Sequence, residues 1–343
     1  MARIIQGIGM SHSPMMAMEG QDWPVWVGND ENHNGLFDET GKHVSYEELA
    51  KQRNNAFAHL ATPEKLLENY NEMNVYFEKL KAEVQKANPD LIVIIANDHP
   101  GEFLQDSNIP ALAIYQGEHL ISVDERRRLE LTNKRPVLDP STDKFQRASE
   151  LKWMDKNNYW PSNSKVAGQL IESLMEQHFD CGLLREQPDP TRHGHGHGYG
   201  MVITKLLDPD QQIPIIPVYL NIRPPNVLTS SRTYDIGRAL RKAIEDIPED
   251  FTVSIICSGG LSHFVTDEYI DRKVLNAIRN RSENELRTLP PHRLKAGSGE
   301  IRNWVSLAAC CEHLQWDWDH YIPVYRTPAG TGIGIGYLSM KLK

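Results

Sequence analysis

Short, continuous apolar runs alternate along the chain with longer segments in which apolar residues recur at helical spacing. Apolar runs without a polar alternation are typical of strands that are buried on both faces of a sheet. Each of these runs is bounded by residues that favour turns. They predict six strands, over Arg3–Gly9, Asp90–Ala96, Pro110–Tyr115, Ile213–Leu220, Thr252–Cys257 and Gly332–Met340.

Helices are predicted between the strands. Thr62 and Pro63 form a typical helix start, a capping hydroxyl followed by proline at the first helical position. Four further helices are predicted over Ser164–Gln177, Tyr234–Ile247, Asp267–Arg279 and Ser298–His313. Strands that alternate with helices indicate one α/β domain spanning residues 1–343. The polar residues from 17 to about 60 predict an insertion of loops and helices on the surface, which extends to about residue 80.

The charge balance excludes some classes of partner. The 343 residues include 46 Asp and Glu against 37 Lys and Arg, a net charge of −9. A nucleic-acid-binding protein would need a basic face, so we expect no nucleic-acid partner. No apolar run approaches the roughly 18 residues of a membrane span. The N-terminus lacks the layout of a signal peptide, so we expect a cytoplasmic protein.

Histidines follow several of the predicted strands. His12 follows the first strand, His99 follows Asp90–Ala96, and His263 lies just beyond Thr252–Cys257. In open α/β sheets, ligands bind in the crevice outside the carboxyl ends of the strands. Any one of these histidines could simply be satisfied by a backbone carbonyl. Three at equivalent edges favour a common site.

A second group of histidines alternates with glycine: His193, His195 and His197. Such a tract can bind metal adventitiously. It can equally form a flexible active-site loop that delivers one histidine as an acid or base. The spacing leaves both interpretations open, with His193 and His195 the less favoured candidates.

Two glutamates are candidates for a metal-binding or substrate-binding carboxylate. Glu268 opens a predicted helix, where an acid is also favoured by the helix dipole. Glu300 begins another, and Ser298 before it is either a helix cap or a donor to an anionic substrate. Ser262 lacks the G-x-S-x-G context of a serine hydrolase. Two histidines and one carboxylate on one face form the metal site of non-haem Fe(II) oxygenases.

Six segments in the same order resemble the class III extradiol dioxygenases, the family that includes the β subunit of protocatechuate 4,5-dioxygenase. The resemblance covers most of the chain. The segments are Ser-His-x-Pro around His12, Asn-Asp-His ending at His99, His197-Gly-Tyr-Gly-Met-Val, the following Ile-Pro-Ile-Ile-Pro-Val-Tyr-Leu-Asn, Gly259-Gly-Leu-Ser-His263, and Gly297-Ser-Gly-Glu-Ile-Arg-Asn-Trp.

The resemblance implies a mostly buried mixed sheet flanked by helices, and a site for Fe(II). The implied iron ligands are His12, His99 and Glu268, although a gapless alignment would place Tyr269 at the third position. The implied acid–base histidine is His197, with His195 as the alternative. His263 is a further candidate for the catalytic group, and Ser298, Ser262 and Glu300 are the candidates for substrate binding.

The implied reaction is O2-dependent ring opening of a catechol-type aromatic acid, such as protocatechuate, gallate or methylgallate, or of a related dihydroxy heteroaromatic. The long insertion resembles the branch that includes 3-O-methylgallate dioxygenase. The resemblance further favours a homo-oligomer and allows a separate small subunit. Two alternatives remain: a metal-dependent C–C hydrolase on the same scaffold, and a non-catalytic binding relative.

Overall fold

The computed structural model describes residues 1–97, 109–122, 158–185 and 195–343. Within these ranges the chain forms an α/β fold built on one large sheet and a separate two-stranded one. The strands are β1 (Arg3–Met10), β2 (Leu91–Ala96), β3 (Leu112–Tyr115), β4 (His119–Ser122), β5 (Asn158–Pro161), β6 (Gly182–Leu184), β7 (Ile215–Leu220), β8 (Thr252–Ser258), β9 (His263–Val265), β10 (Gln315–Tyr325) and β11 (Thr331–Lys341).

Helices cover both faces of the large sheet. The α-helices in the described ranges are α1 (Val27–Glu31), α2 (Tyr46–Arg53), α3 (Pro63–Ala87), α4 (Ser164–Glu176), α5 (His197–Leu206), α6 (Ser230–Glu245), α7 (Glu268–Arg279), α8 (Glu283–Arg287) and α9 (Ile301–Cys310). Short 3-10 helices cover Pro14–Ala17, Gly20–Trp26, Pro291–Arg293 and Ala296–Glu300.

The large sheet is mixed, with the strand order β10-β11-β1-β8-β2-β7-β3-β6 and β9 paired with β11. Its centre is a parallel run, because β1 pairs in parallel with β8, β8 with β2, and β2 with β7. On either side the direction changes: β11 is antiparallel to β1, and β3 is antiparallel to β7. The carboxyl ends of the four central strands therefore meet at one edge.

The core lies on both faces of this central run. Val93 and Ile95 of β2 belong to a buried cluster with residues of α4, α6, α7 and α9. Ile92 and Ile94 of the same strand face a second cluster, which includes residues of α3 and α5. Burial on both faces explains why this strand shows no alternation of polar and apolar residues.

The predicted fold class and all six predicted strands are confirmed, and the predicted helices are present with ends shifted by a few residues. Strand β10 escaped prediction because its first half, Gln315–Tyr321, is polar, aromatic and only partly buried. The glycine- and histidine-rich tract also differs from the predicted flexible loop. From His197 onwards it is a helix, because the following residues, Tyr199 to Ile203, are buried against the sheet.

The segment predicted as a surface insertion contributes to the core. Leu66, Met73 and Phe77 of α3 are buried under the sheet, and Trp23 of the preceding 3-10 helix is fully buried against Tyr70. Among the described residues, none of the helices combines the length and the apolar composition that crossing a membrane requires.

A buried carboxyl group ties α7 to the loop after β8. Asp271 accepts hydrogen bonds from the backbone N–H of Ser262 at 2.7 Å, from its hydroxyl at 2.7 Å, and from the Tyr321 hydroxyl at 2.8 Å. Burial raises the pKa of Asp271 to about 7, although these hydrogen bonds oppose the shift. Its ionised form therefore costs free energy in the folded protein.

We expect this group to make stability depend on pH. In the unfolded chain the carboxyl titrates near its ordinary pKa of 3.8. The folded protein binds this proton more tightly, so the free energy of unfolding falls as the pH rises from 3.8 to about 7. The loss amounts to at most about 4 kcal/mol.

Asp271→Asn should flatten that dependence when urea unfolding is measured across this pH range. The exposed Asp246, which pairs with Lys242 on the surface, provides the control, because Asp246→Asn should retain the wild-type slope. An Asp271→Asn profile as steep as the wild-type profile would contradict the assignment.

Candidate functional site

A cavity of about 930 Å³ lies where the central parallel strands end. The loops that leave β1, β2, β7 and β8 all contribute to its wall, as expected for a crevice at the carboxyl edge of an α/β sheet. Its lining residues are His12, Ser13, Pro14, Trp26, Asn29, Asp30, Asn32, His33, Asn34, Asn97, His197, Ile222, Arg223, Pro224, His263, Phe264, Ala296, Gly297, Glu300, Arg326 and Ile333.

His12 and Glu300 lie side by side in this wall. The side chains are only 1% and 5% exposed, and His12 Nε2 lies 3.5 Å from Glu300 Oε2. The other ring nitrogen, His12 Nδ1, is 2.9 Å from the Ser258 hydroxyl at the end of β8. Glu300 Oε2 accepts the backbone N–H of Gly260 at 2.6 Å. His12 is therefore held in place by the last residue of β8, and Glu300 by the loop that follows it.

His263 completes this group on one side. Its Nε2 lies 3.8 Å from Glu300 Oε2, and its Nδ1 lies 3.0 Å from the Leu261 carbonyl. Burial lowers the pKa of His263 below its ordinary value, and the Glu300 carboxylate opposes that shift. Two glycines lie close to the ring: a Cβ on Gly260 would lie 2.5 Å from its Cε1, and a Cβ on Gly297 would overlap it.

His197 completes the group on the other side. It is the first residue of α5, is buried, and lies with its ring centroid 4.9 Å from that of His12, the two planes at 89°. His195 is fully buried, and its ring packs against Tyr115 and Tyr199. Of the two, only His197 lines the cavity.

The pair of His12 and Glu300 suits a metal ion. Two atoms that each lie about 2.1 Å from one cation are roughly 3–4 Å apart. The 3.5 Å between His12 Nε2 and Glu300 Oε2 falls in that range. Imidazole and carboxylate are also the donors of the two-histidine, one-carboxylate sites that bind ferrous iron. A site of that kind needs a second histidine in addition to His12 and Glu300. The described ranges contain no group of three His, Cys, Asp or Glu side chains that could hold a metal ion.

Two of the predicted residues, His99 and His193, fall outside the described residues. The Glu268 carboxylate is bound by Arg272 at 2.8 Å and by the Tyr325 hydroxyl at 2.8 Å, and it does not line the cavity. The structure therefore does not bring Glu268 to His12. The carboxylate beside His12 belongs to Glu300, which sequence analysis had assigned to substrate binding.

The two predicted serines support the wall without lining the cavity. Ser262 bonds to Asp271, as described above. The Ser298 hydroxyl accepts the His263 backbone N–H and donates to the His263 carbonyl, both at 2.9 Å. Ser298 thus fixes the strand that carries His263.

Sequence analysis missed the part of the cavity formed by the insertion and the end of β10. Trp26, Asp30 and His33 come from the first, and Arg326 comes from the second. Asp30 and Arg326 form a buried ion pair, although they lie near opposite ends of the sequence. Asp30 and His33 stand in a polar, turn-rich segment whose sequence carries no metal-site or catalytic motif.

The close approach of Gly297 to His263 generates a prediction. Gly297→Ala should destabilise the fold by about 1–3 kcal/mol, because the new methyl group forces the His263 ring or its strand to move. Urea unfolding measures this loss, and the histidine ring resonances should shift with it. Gly28→Ala is the matched control, since nothing lies within 4 Å of that Cβ. Equal stability of the two variants would show that the ring is not confined.

Comparison with known proteins agrees with this geometry. A segment of 106 residues, 31% of the chain, is 36% identical to a gallate dioxygenase from Pseudomonas putida. That segment spans 30% of the relative's own length. Residues 56–336, more than half of the chain, match the family described as "Catalytic LigB subunit of aromatic ring-opening dioxygenase". This match confirms the predicted resemblance to the family. The chain belongs to the family of catalytic LigB subunits of aromatic ring-opening dioxygenases.

Proposed function

We propose that the protein opens the ring of a catechol-type aromatic acid with O2, at an Fe(II) site held by His12, Glu300 and His99. Family membership supports the ring-opening chemistry. The observation that carries the proposal is the placement of a buried histidine–glutamate pair, His12 and Glu300, beside a second histidine, His197, in one cavity.

Glu300 takes the place of Glu268 in this proposal. The reason is geometric, since Glu300 is the carboxylate within reach of a cation bound at His12 Nε2. Its orientation is fixed by the Gly260 N–H, and that of His12 by Ser258. Such outer partners orient metal ligands and set which ring nitrogen binds. His99 is retained from the sequence motif, because it follows β2, whose neighbouring residue Asn97 lines the same cavity.

Ferrous iron at this site supplies open coordination positions and the redox chemistry that joins O2 to the ring. The protein's own part is to bind and orient the substrate and to move protons. Ile222, Pro224, Phe264 and Ile333 give the cavity apolar wall on which an aromatic ring can pack. The vicinal hydroxyls then lie toward the histidines and Glu300.

His197 is the acid–base residue of this proposal. Its ring lies against His12, so a hydroxyl oxygen directed at the metal site comes within its reach. A ring nitrogen of His197 would accept the proton of that hydroxyl on binding and return it as the ring opens. His195 is not given this role, because its ring packs among tyrosines behind the cavity wall.

The first experiment measures metal content and O2 uptake on protein purified without oxygen, against a panel of catecholic acids. We expect about one iron per chain and uptake that depends on the substrate. Zinc or manganese without uptake on any panel member would reject the proposal and favour a C–C hydrolase on the same scaffold.

The choice between the two glutamates predicts different metal contents. Glu300→Gln should lose most of its iron under anaerobic dialysis, because the amide replaces the negatively charged ligand. Glu268→Gln is the matched control and should keep the wild-type content, since Glu268 bonds to Arg272 and Tyr325. His12→Ala should behave like Glu300→Gln. Iron retained in Glu300→Gln but lost in Glu268→Gln would reverse the assignment.

The role of His197 predicts a separate effect. His197→Gln should keep its iron but lose roughly 10²–10⁴-fold in turnover, the usual contribution of a positioned acid–base group. His195→Gln is the comparison and should lose less, because His195 does not line the cavity. The two variants are compared by O2 uptake at saturating substrate, and an unchanged rate in His197→Gln would refute the role.

A further inference from the structure

A buried ion pair, Arg326 with Asp30, lines the same cavity as His12 and Glu300. Arg326 Nε lies 2.6 Å from Asp30 Oδ2, and its Nη2 lies 2.8 Å from Asp30 Oδ1. Both side chains are only 2% exposed, yet both line the cavity. Charged side chains are rarely buried this deeply unless they are paired.

The ion pair uses the hydrogen-bonding groups of its two side chains to different extents. The Asp30 carboxylate accepts three hydrogen bonds, two from Arg326 and one from the Thr331 hydroxyl at 2.9 Å. Arg326 carries five N–H donors in a planar fork. Asp30 binds its side edge, formed by Nε and Nη2. The contact of Nη1 among the described residues is Met15 Sδ at 3.8 Å, and sulfur is a weak acceptor.

The end of the guanidinium, formed by Nη1 and Nη2, therefore keeps donors that Asp30 does not use. A guanidinium end of this kind matches the two oxygens of a carboxylate, which it binds with two parallel hydrogen bonds. The fork cannot turn freely, because its side edge is held by Asp30 and its face lies 5.3 Å from the Trp26 ring centroid. An anion that enters the cavity meets donors already fixed in position.

His33 adds a neutral donor to the same part of the cavity. Its Nδ1 accepts the Gly35 backbone N–H at 2.9 Å, so the hydrogen of the neutral ring is on Nε2. The ring packs on Phe264 with centroids 3.8 Å apart. Arg326 and His33 thus both bring hydrogen-bond donors to the wall of the cavity.

We propose that Arg326, held by Asp30, binds the carboxylate of the aromatic substrate and so makes the enzyme selective for ring acids over uncharged catechols. This inference rests on the proposed function and extends it to the substrate's charged group. The ring then spans the cavity, with its hydroxyls at His12 and Glu300 and its carboxylate at Arg326. Arg326 acts as a specificity-determining residue with no part in proton transfer.

The test compares each of two acids with the compound that has the same ring but no carboxylate. The pairs are gallate with pyrogallol, and protocatechuate with catechol. Arg326→Lys keeps the charge and the pairing with Asp30 but loses the planar fork. It should lower kcat/KM for the acids by about tenfold or more, chiefly through KM, and change that for pyrogallol and catechol by less than about threefold.

A second variant guards against misfolding. Arg326→Gln alone would leave a buried negative charge on Asp30, so it is combined with Asp30→Asn to remove both charges together. The double variant should show the same loss restricted to the acids. Arg279 supplies the control, because it forms a similar two-bonded pair with Asp319 on the surface. Arg279→Lys should keep the wild-type preference for acids.

The outcomes separate this inference from the proposed function. The role of Arg326 is supported if wild type takes up O2 with a preference for the acids and both Arg326 variants lose that preference. An equal loss on acids and uncharged rings, or no loss, overturns it and leaves ring opening intact. If wild type takes up no O2 with any of the four compounds, the proposed function fails. Calorimetry then measures the binding of protocatechuate and catechol. Tighter binding of the acid by wild type that is abolished in Arg326→Lys supports the role of Arg326. Wild-type binding without selectivity for the acid overturns it.

Discussion

The parallel run of β1, β8, β2 and β7 is the constraint on which the site depends. Parallel strands place all their carboxyl ends at one edge, so the residues that follow them are brought together whatever their separation in the chain. His12 follows β1, and the glycine loop that holds Glu300 follows β8. The antiparallel strands β11 and β9 add Ile333 and His263 to the wall of the cavity at this edge.

Most of the fold was predictable because its strands are buried on both faces. Leu91–Ala96 and Ile215–Leu220 are apolar throughout, and this pattern alone predicts central strands. His12, which follows β1, and His263, which lies a few residues beyond β8, both line the cavity at this edge. The local sequence indicates where each strand ends, and the end of a strand decides where the residue that follows it lies.

The parts that could not be predicted depend on contacts between distant residues. Glu268 and Glu300 both lie at the start of a helix, and no local sequence pattern distinguishes their roles. A 3-10 turn over Ala296–Glu300 directs the second carboxylate to Gly260, whereas Arg272 and Tyr325 hold the first. The pairing of Asp30 with Arg326 likewise joins the insertion to the end of β10, and no spacing rule connects them. The flanking sequences indicate where a helix or strand begins or ends, but not which distant residue each of these side chains contacts.

The position of β1 in the sheet has a consequence for assembly. Its two neighbours are β8 and β11, and both are made late in synthesis. Until those strands emerge from the ribosome, the segment that carries His12 has no sheet to join, and such non-local pairing is slow. His12 is thus brought beside Glu300 only after β8 and β11 have been synthesised and have paired with β1, so this cavity wall forms late in the folding of each new molecule.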